Sequence, residues 1–406
     1  MIRILHTSDW HLGRWLYSFR RDSEFAAFLD WLCGVIRDRQ IDYLLVAGDV
    51  FDTGTPSPVA QKMYYRFLAA LAATGCRGAV ITSGNHDSAS FLAAPKELLN
   101  AMNIRVVSVA AAPENIAEEV VVLPNCDGKP ELAICAVPFL KERDLRVMTP
   151  GESYEQRLQK MADGMCRHYQ AAYEYARQFS VPVIAMGHLF AAGGQKTADD
   201  GVRDLAVGSL GVVDTASLDI GFDYVALGHL HIAQTVGGRE YIRYSGSPLP
   251  VGFGEAEDVK QVVLVEIFDD GTPLNIIPLP VPVFKKMYRI RGGLEAIARR
   301  IEELRALNED VFVEVFYDDP AFCSGLNGKI DELVKGSRLQ VCRVHNRNCE
   351  NFQAEQISGE ELEDVTVEDM FERCLDANRV EETQREQLRR LYRQVLQEIE
   401  NGDAEE

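Results

Sequence analysis

Side chains that bind metal ions follow several strand-like apolar runs, at the point where each run ends. Imidazole, carboxylate and amide groups, with no cysteine among them, suit Mn²⁺, Fe²⁺ or Zn²⁺. Their number exceeds what one metal ion needs, so the pattern indicates a pair of ions. The residues are Asp9, His11, Asp49, Asn85, His86, His188, His229 and His231.

A pair of metal ions about 3.5–4 Å apart activates water and stabilises the attacking and leaving oxygens of a phosphoryl displacement. Such a pair needs a short carboxylate that can bridge the two ions. Taken alone, Asp9 is also typical of a turn cap, and His188 is also typical of a hydrogen-bonded core histidine. The site is therefore predicted from the joint occurrence of these residues at strand ends.

Asp49 ends the segment around which the chain is organised. Residues 43–47 are consecutively apolar or aromatic, which favours a strand buried on both faces of a mostly parallel sheet. Gly48 then leaves room for the close approach of a ligand. The Asp49 carboxylate is expected at the carboxyl edge of that sheet, where open α/β sheets bind ligands.

Strand–helix units connect the polar strand ends. Residues 22–39 carry apolar side chains at helical spacing, which predicts an amphipathic helix between two parallel strands. Asp9, Asp49 and Asn85 are separated by 40 and 36 residues, as repeated units of this kind require. The polar side chains are therefore expected to converge on one sheet edge.

The remainder of the chain is expected to contain two further parts after a first domain of residues 1–272. Four prolines between positions 273 and 282 predict a linker, and residues 284–350 alternate strand and helix patterns typical of a small α+β domain. Residues 355–406 are predicted to form a charged helical tail with one apolar face. That face comprises Leu388, Leu391, Tyr392, Val395, Leu396 and Ile399.

The acidic charge of the chain is concentrated in this tail. The chain has 406 residues and a formal net charge of −20. Residues 351–406 hold 17 acidic and 6 basic side chains, a net charge of −11, which leaves −9 for the other 350 residues. The overall charge therefore does not exclude a nucleic acid surface on the first domain.

Other features of the composition indicate a cytoplasmic protein. No apolar run approaches the roughly 20 residues that a membrane span needs. The N-terminus enters a strand pattern at once, which is unlike a signal peptide. The nine cysteines are odd in number and scattered, as expected for reduced thiols.

The polar strand ends form a set of ordered motifs. They read D-x-H at residues 9–11, G-D-x-x-D at 48–52, G-N-H-D at 84–87, G-H at 187–188 and G-H-x-H at 228–231. In this order the motifs resemble the calcineurin-like metallophosphoesterases. The resemblance implies an α/β fold, a metallophosphoesterase β-sandwich with flanking helices, followed here by a small α+β capping domain and a helical C-terminal tail.

The resemblance also implies roles for individual residues. Asp49 would bridge the two ions, His86 would give a proton to the leaving-group oxygen, and the carboxylate of Asp52 would orient His86. The ligands of one ion would be Asp9, His11, Asp49 and His231, and those of the other Asp49, Asn85, His188 and His229.

The residues around the motifs resemble one branch of the family. Phosphoprotein phosphatases continue with Arg-Gly where this chain has Thr53 and Gly54. The segments at 6–13, 48–52 and 244–248 are instead similar to the SbcD family of bacterial nuclease subunits. That similarity implies a DNA exonuclease and endonuclease with two divalent ions, most simply Mn²⁺, which works with an SbcC-type ATPase. Archaeal and eukaryotic relatives have histidine where Asp52 stands, so details from them do not transfer to this position.

Two other functions compete with the nuclease. A stand-alone phosphodiesterase for cyclic nucleotides or other small phosphates would need neither the α+β domain nor the tail. A scaffold with an inactive site is disfavoured because every motif position is filled.

Three surfaces are predicted for partners of the chain. The helix expected at residues 59–73 has a wide apolar stripe, and family resemblance places a homodimer contact there through Tyr65 and Leu68. Arg14, Arg20 and Arg21 follow the first metal ligands and are expected to meet DNA phosphates, although surface solubility explains them equally well. The apolar face of the tail is expected to bind the ATPase.

Overall fold

The computed structural model describes residues 1–146, 150–195, 213–319, 323, 325–346, 371–372, 375, 385–386 and 388–393. It divides into two compact units, Met1–Lys286 and Met287–Glu406. Three residues of the predicted tail face, Val395, Leu396 and Ile399, lie outside the described residues.

The first unit contains two six-stranded sheets and the helices that cover them. Its strands are β1 (Ile2–Thr7), β2 (Trp15–Leu16), β3 (Phe19–Arg20), β4 (Tyr43–Ala47), β5 (Gly78–Thr82), β6 (Ile104–Val107), β7 (Val120–Pro124), β8 (Pro130–Ala136), β9 (Val183–His188), β10 (Tyr224–Gly228), β11 (Gln234–Val236), β12 (Arg239–Tyr244), β13 (Gln261–Ile267) and β14 (Asn275–Pro280). Its α-helices are α1 (Asp22–Asp38), α2 (Pro58–Leu71), α3 (Ala89–Ala93), α4 (Lys96–Ala101), α5 (Glu142–Leu145) and α6 (Tyr154–Ala176).

The first sheet has the order β14-β13-β1-β4-β5-β6, and the second has the order β11-β12-β10-β9-β8-β7. The predicted parallel pairing of β1, β4 and β5 is confirmed, and every residue of β4 and β5 is buried. The expectation of a single sheet edge is wrong, because β9 and β10 pair with each other in the second sheet. The β-sandwich that the family resemblance implied is confirmed.

Apolar side chains fill three layers of the first unit. Alternate residues of the two sheets, among them Leu45 and Met186, meet in the layer between them. The helices α1 and α2 cover the outer face of the first sheet, and α6 covers the second. The strand ends that carry the polar motifs are therefore fixed by a core on both faces of each sheet.

The predicted proline linker is a strand. β14 pairs antiparallel with β13, and Pro278 lies opposite Val263. Proline lacks an amide donor but is tolerated on an edge strand, and β14 is the edge strand of its sheet. The linker interpretation is therefore wrong, and the first compact unit continues to Lys286.

The second unit contains a three-stranded sheet in the order β15-β16-β17 with two helices against it. The elements are β15 (Lys286–Gly292), α7 (Leu294–Ala306), β16 (Val311–Tyr317), α8 (Leu326–Val334) and β17 (Leu339–Asn346). This alternation of strand and helix is the one that the sequence pattern predicts.

Among the described tail residues, Phe371 stacks on Tyr392 with ring centroids 3.9 Å apart. One residue of the predicted apolar face therefore contacts another part of the tail. Leu391 of the same face is 52% exposed. No helix in the described part of the chain is long and apolar enough to cross a membrane.

Candidate metal centre

Two loops of the first sheet are joined by backbone hydrogen bonds. The amide of Asp9 donates to the carbonyl oxygen of Gly48 (3.1 Å), and the amide of His11 donates to that of Asp49 (3.0 Å). Asp9, His11 and Asp49 all have positive φ angles, of 53°, 48° and 49°. Such angles cost energy for residues with a side chain and are concentrated at functional sites.

The second sheet contributes three histidines to the same place. His188 is the last residue of β9, while His229 and His231 follow β10. The backbone amide of His229 donates to both carboxylate oxygens of Asp9, at 2.9 and 3.1 Å. Close approach of the sheets depends on Gly228, because a Cβ atom there would lie 1.9 Å from the carbonyl oxygen of Ala47.

The predicted ligands lie close to one another. Nε2 of His11 is 3.2 Å from Nε2 of His231 and 3.7 Å from a carboxylate oxygen of Asp49. That same Asp49 oxygen, Oδ2, is 3.3 Å from Nε2 of His188. Asp49 therefore stands between two groups of ligands, as a bridging carboxylate would.

Asn85 completes the second group. Its Oδ1 atom lies 3.0 Å from Nε2 of His188 and 3.2 Å from Nδ1 of His229. Among the described residues, three sets of side chains here have donor atoms within 4.8 Å of one another and can hold a metal ion. They are Asp9, His11 and His231; Asp9, Asp49 and His188; and His11, Asp52 and His86.

The groups behind two histidines determine which nitrogen faces the centre. Nδ1 of His188 lies 3.0 Å from the carbonyl oxygen of Ala47, and Nδ1 of His231 lies 3.1 Å from a carboxylate oxygen of Glu255. Because both partners only accept hydrogen bonds, each Nδ1 carries a proton and each Nε2 faces the centre, where in the neutral imidazole it presents a lone pair.

This arrangement fits a divalent cation. In its neutral form Nε2 of His188 is an acceptor, as is Oδ1 of Asn85, so the 3.0 Å between them requires a proton or a cation. Burial by itself would lower the pKa of His188, but the carboxylates of Asp49 and Asp9 raise it to about 9. Burial would likewise raise the pKa of Asp49, but His188, His11 and His86 hold it below its usual range. The site thus favours positive charge.

His86 and Asp52 lie beside the first group of ligands. The backbone amide of His86 donates to Asp49 (2.8 Å), and Nδ1 of His86 donates to the backbone carbonyl oxygen of Asp52 (2.7 Å). The Asp52 carboxylate accepts from Arg14 (2.8 Å) and lies 3.5 Å from Nδ1 of His11. Burial would raise the pKa of Asp52, but His11 and Arg14 lower it to about 2.

Sequence reasoning missed the groups that support His231. Glu255 is fully buried, and its second carboxylate oxygen accepts from Ser247 (3.1 Å), from the amide of Val251 (3.0 Å) and from Lys260. Lys260 also donates to the carbonyl oxygen of His231 (3.1 Å). A buried glutamate in a single short 3₁₀ turn has no periodic pattern, so the nearby similarity at 244–248 was the only signal in the sequence.

Two surface predictions are corrected by burial. Arg21 is buried and pairs with Glu24, so it is not accessible to phosphates. Leu68 belongs to the apolar core under α2 and is 1% exposed, so it is not accessible for a dimer contact. Arg20 and Tyr65 are exposed, as expected.

Comparison with known proteins places the chain in a family. Residues 2–233 match the family model described as calcineurin-like phosphoesterase. The fold, the donor set and this match define the class of the protein, and the chain belongs to the calcineurin-like phosphoesterases. Residues 283–379 match a second model, SbcD_C, described as the type 5 capsule protein repressor C-terminal domain.

Curated relatives narrow the assignment. The SbcD component of the nuclease SbcCD from Escherichia coli K12 is 35% identical over 97% of this chain and 98% of its own. The protein of the same name in Bacillus subtilis is 30% identical over 99% of this chain and 100% of its own. The protein of the same name in Rhodobacter capsulatus is 35% identical over 75% of this chain and 76% of its own. The chain belongs to the SbcD family of nuclease subunits.

Proposed function

We propose that the chain is a two-metal DNA nuclease, a double-strand exonuclease and single-strand or hairpin endonuclease that acts in DNA repair and recombination. The main observation in support is that carboxylate, amide and imidazole ligands from two sheets converge around Asp49. Two bound divalent ions, which we propose to be Mn²⁺, would supply an activated water and stabilise the attacking and leaving oxygens. One ion would be held by Asp9, His11, Asp49 and His231, and the other by Asp49, Asn85, His188 and His229.

His86 is proposed to act as the general acid. Its Nδ1 proton is engaged by the carbonyl oxygen of Asp52, so Nε2 is the atom that transfers a proton to the leaving-group oxygen. Asp52 is proposed to orient His86 through this carbonyl oxygen and not through its carboxylate, as the resemblance implied. Its carboxylate holds Arg14 and lies against the back of His11.

The alternative, a phosphodiesterase for small substrates, is less well supported. It uses the same metal centre but gives no role to the second compact unit. The family match to residues 283–379 and the near full-length relatives favour the nuclease.

The proposed setting follows from the name of the relatives. We propose that the chain binds an SbcC-type ATPase through its tail, acts on DNA in the cytoplasm, and forms a homodimer through the α2 surface around Tyr65. Tyr65 is 37% exposed next to the buried Tyr64, with ring centroids 5.3 Å apart. Light scattering at micromolar concentration should give twice the mass of the chain, and a strictly monomeric mass would contradict the dimer.

Cleavage assays with defined substrates test the function. Linear duplex, hairpin and single-stranded oligonucleotides should be cut in Mn²⁺ and left intact in EDTA. The Asp49→Ala variant should bind neither ion and cut none of them, while Asp42→Asn, remote from the ligands, should behave as wild type. Cleavage of a small phosphodiester without cleavage of any DNA would favour the alternative.

A further inference from the structure

A two-stranded hairpin projects from the loop that carries the first metal ligands. It consists of β2 and β3, with Trp15 opposite Arg20 and Leu16 opposite Phe19. The hairpin begins four residues after His11, and the amide of Arg14 donates to the carbonyl oxygen of His11 (3.0 Å). The hairpin therefore follows the first metal ligands directly in the sequence and is hydrogen-bonded to their loop.

The hairpin presents aromatic surface to solvent. Leu16 is buried, and because successive side chains of a strand point to opposite sides, Trp15 points outward and is 55% exposed. Tyr17 at the turn is 45% exposed. The other two tryptophans, Trp10 and Trp31, are buried or half-buried.

Tyr17 is held in a costly conformation. Its φ angle is 54°, a region that an aromatic residue with a Cβ atom rarely occupies. Its ring lies against the buried Phe253, with centroids 6.3 Å apart and planes inclined by 32°. An exposed aromatic ring in a strained turn indicates a functional constraint more than a packing requirement.

The hairpin is fixed to the metal centre at its start and at its turn. On one side, Arg14 donates to the carboxylate of Asp52 (2.8 Å). On the other, Phe253 begins the short 3₁₀ turn Phe253–Glu255, whose last residue supports His231. The aromatic surface thus has a defined position relative to the metal ligands, which a binding surface for the substrate needs.

We propose that Trp15 and Tyr17 form a stacking surface for unpaired bases of the DNA strand that enters the metal centre. The inference rests on the proposed nuclease function and adds the chemistry by which the substrate is held. Every base has an aromatic face, so stacking binds single strands without sequence preference. The guanidinium of Arg20, opposite Trp15 on the hairpin, is exposed but paired with Asp22, so stacking and not charge supports the proposal.

Binding and cleavage of single-stranded DNA by full-length variants test the proposal. Trp15→Ala should raise Kd and KM for a single-stranded oligonucleotide by roughly 10-fold or more, the usual effect of losing one stacked base. Trp15→Phe keeps an aromatic face and should largely restore both constants. Tyr154→Ala, which removes an exposed aromatic side chain from the start of α6, is the matched control and should change neither.

Fluorescence gives a readout that is independent of cleavage. Oligonucleotide binding in EDTA should quench tryptophan emission in the wild type, and Trp15→Phe should lose most of that quenching while it still binds. Unchanged Kd and KM in Trp15→Ala would overturn the inference. Weakened binding to the ATPase with unchanged DNA affinity would also overturn it, by assigning the hairpin to a protein partner. Failure of the wild type to cleave any DNA would instead refute the proposed function.

Discussion

At the scale of single residues, the metal centre depends on the groups that stand behind the ligands. An imidazole binds a metal through a lone pair, and the hydrogen bond on its other nitrogen determines where that lone pair points. Ala47 provides this acceptor for His188 through its backbone, whereas Glu255 provides it for His231 through its side chain. The second case can be tested by mutation.

Glu255→Gln should weaken binding of the ion that His231 is proposed to hold by roughly 10- to 100-fold, the usual effect of losing an outer carboxylate. The amide keeps the size of the side chain but removes the charge that Lys260 and His231 share. Calorimetric titration with Mn²⁺ measures the effect, with the exposed Glu257→Gln as control. An affinity equal to that of the wild type would show that Glu255 only stabilises the fold.

His86→Gln should keep both metal ions but reduce kcat by roughly 10²- to 10⁴-fold, because it removes the proposed general acid. Metal content by mass spectrometry and single-turnover cleavage measure the two properties in the same preparation. Two bound ions with undiminished cleavage would exclude this role for His86.

The burial of His6 should make the free energy of unfolding sensitive to acid. It is fully buried, with Nδ1 3.0 Å from the hydroxyl of Tyr224, and burial, together with Arg243, lowers its pKa to about 3. A group with a lowered folded pKa stabilises the protein above its unfolded pKa of about 6.5. This stability is lost as the pH falls from there towards 3.

When the pH falls from 7 to 5, His6 should lower the free energy of unfolding of the wild type by about 2 kcal/mol. His6→Gln should therefore show a smaller loss over that interval. Urea unfolding of both proteins at both pH values measures the difference. EDTA is present throughout, so that release of metal ions does not add a second effect of pH. An identical pH dependence in the two proteins would contradict the pKa shift.

At the scale of elements, the centre exists because the ends of strands from two sheets come into contact. The main-chain contact is closest where Gly228 at the end of β10 meets the carbonyl oxygen of Ala47 at the end of β4. A side chain at this position would separate the sheets, and with them the two groups of ligands.

Gly228→Ala should destabilise the protein by several kcal/mol, in the upper range for single substitutions, and should reduce metal binding. The added Cβ atom would lie 1.9 Å from a backbone oxygen that cannot move freely. Gly34→Ala is the control, because this helical glycine has nothing within 4 Å of a Cβ atom and alanine favours a helix by about 1 kcal/mol. Urea unfolding of both variants should give changes of opposite sign.

At the scale of the whole molecule, the charge distribution and the tail indicate how the chain binds a protein partner. The tail is strongly acidic, yet Leu388 and Leu391 remain exposed on its helical segment 388–393 while Tyr392 stacks on Phe371. Exposed leucines on an otherwise charged helix are typical of a binding face for another protein. The proposed partner is the ATPase.

Leu391→Glu should weaken association with the ATPase by roughly 10-fold or more, since a buried leucine contributes about 1.5–3 kcal/mol. Deletion of residues 355–406 should abolish the association while metal-dependent cleavage by the isolated nuclease chain continues. Arg390→Glu, an exposed neighbour on the same helix, is the control for a change of charge. Co-purification of the truncated chain with its partner would refute the role of the tail.

Much of this organisation is encoded locally. The uninterrupted apolar run at residues 43–47 predicts β4 because such runs suit strands buried on both faces, and helical spacing predicts α1 and α2. The order of the polar motifs predicts the ligands around Asp49, because strand ends are where a sheet presents side chains to a ligand.

The tertiary structure decided what depends on contacts between distant segments. The pairing of β9 with β10 in a second sheet, and of proline-rich β14 with β13, follows from the burial of whole faces, which no local pattern records. The use of Glu255 behind His231, and the burial of Arg21 and Leu68, likewise depend on neighbours distant in sequence. The sequence alone predicted which side chains form the candidate site, and packing of the two sheets determined which atoms of those side chains meet.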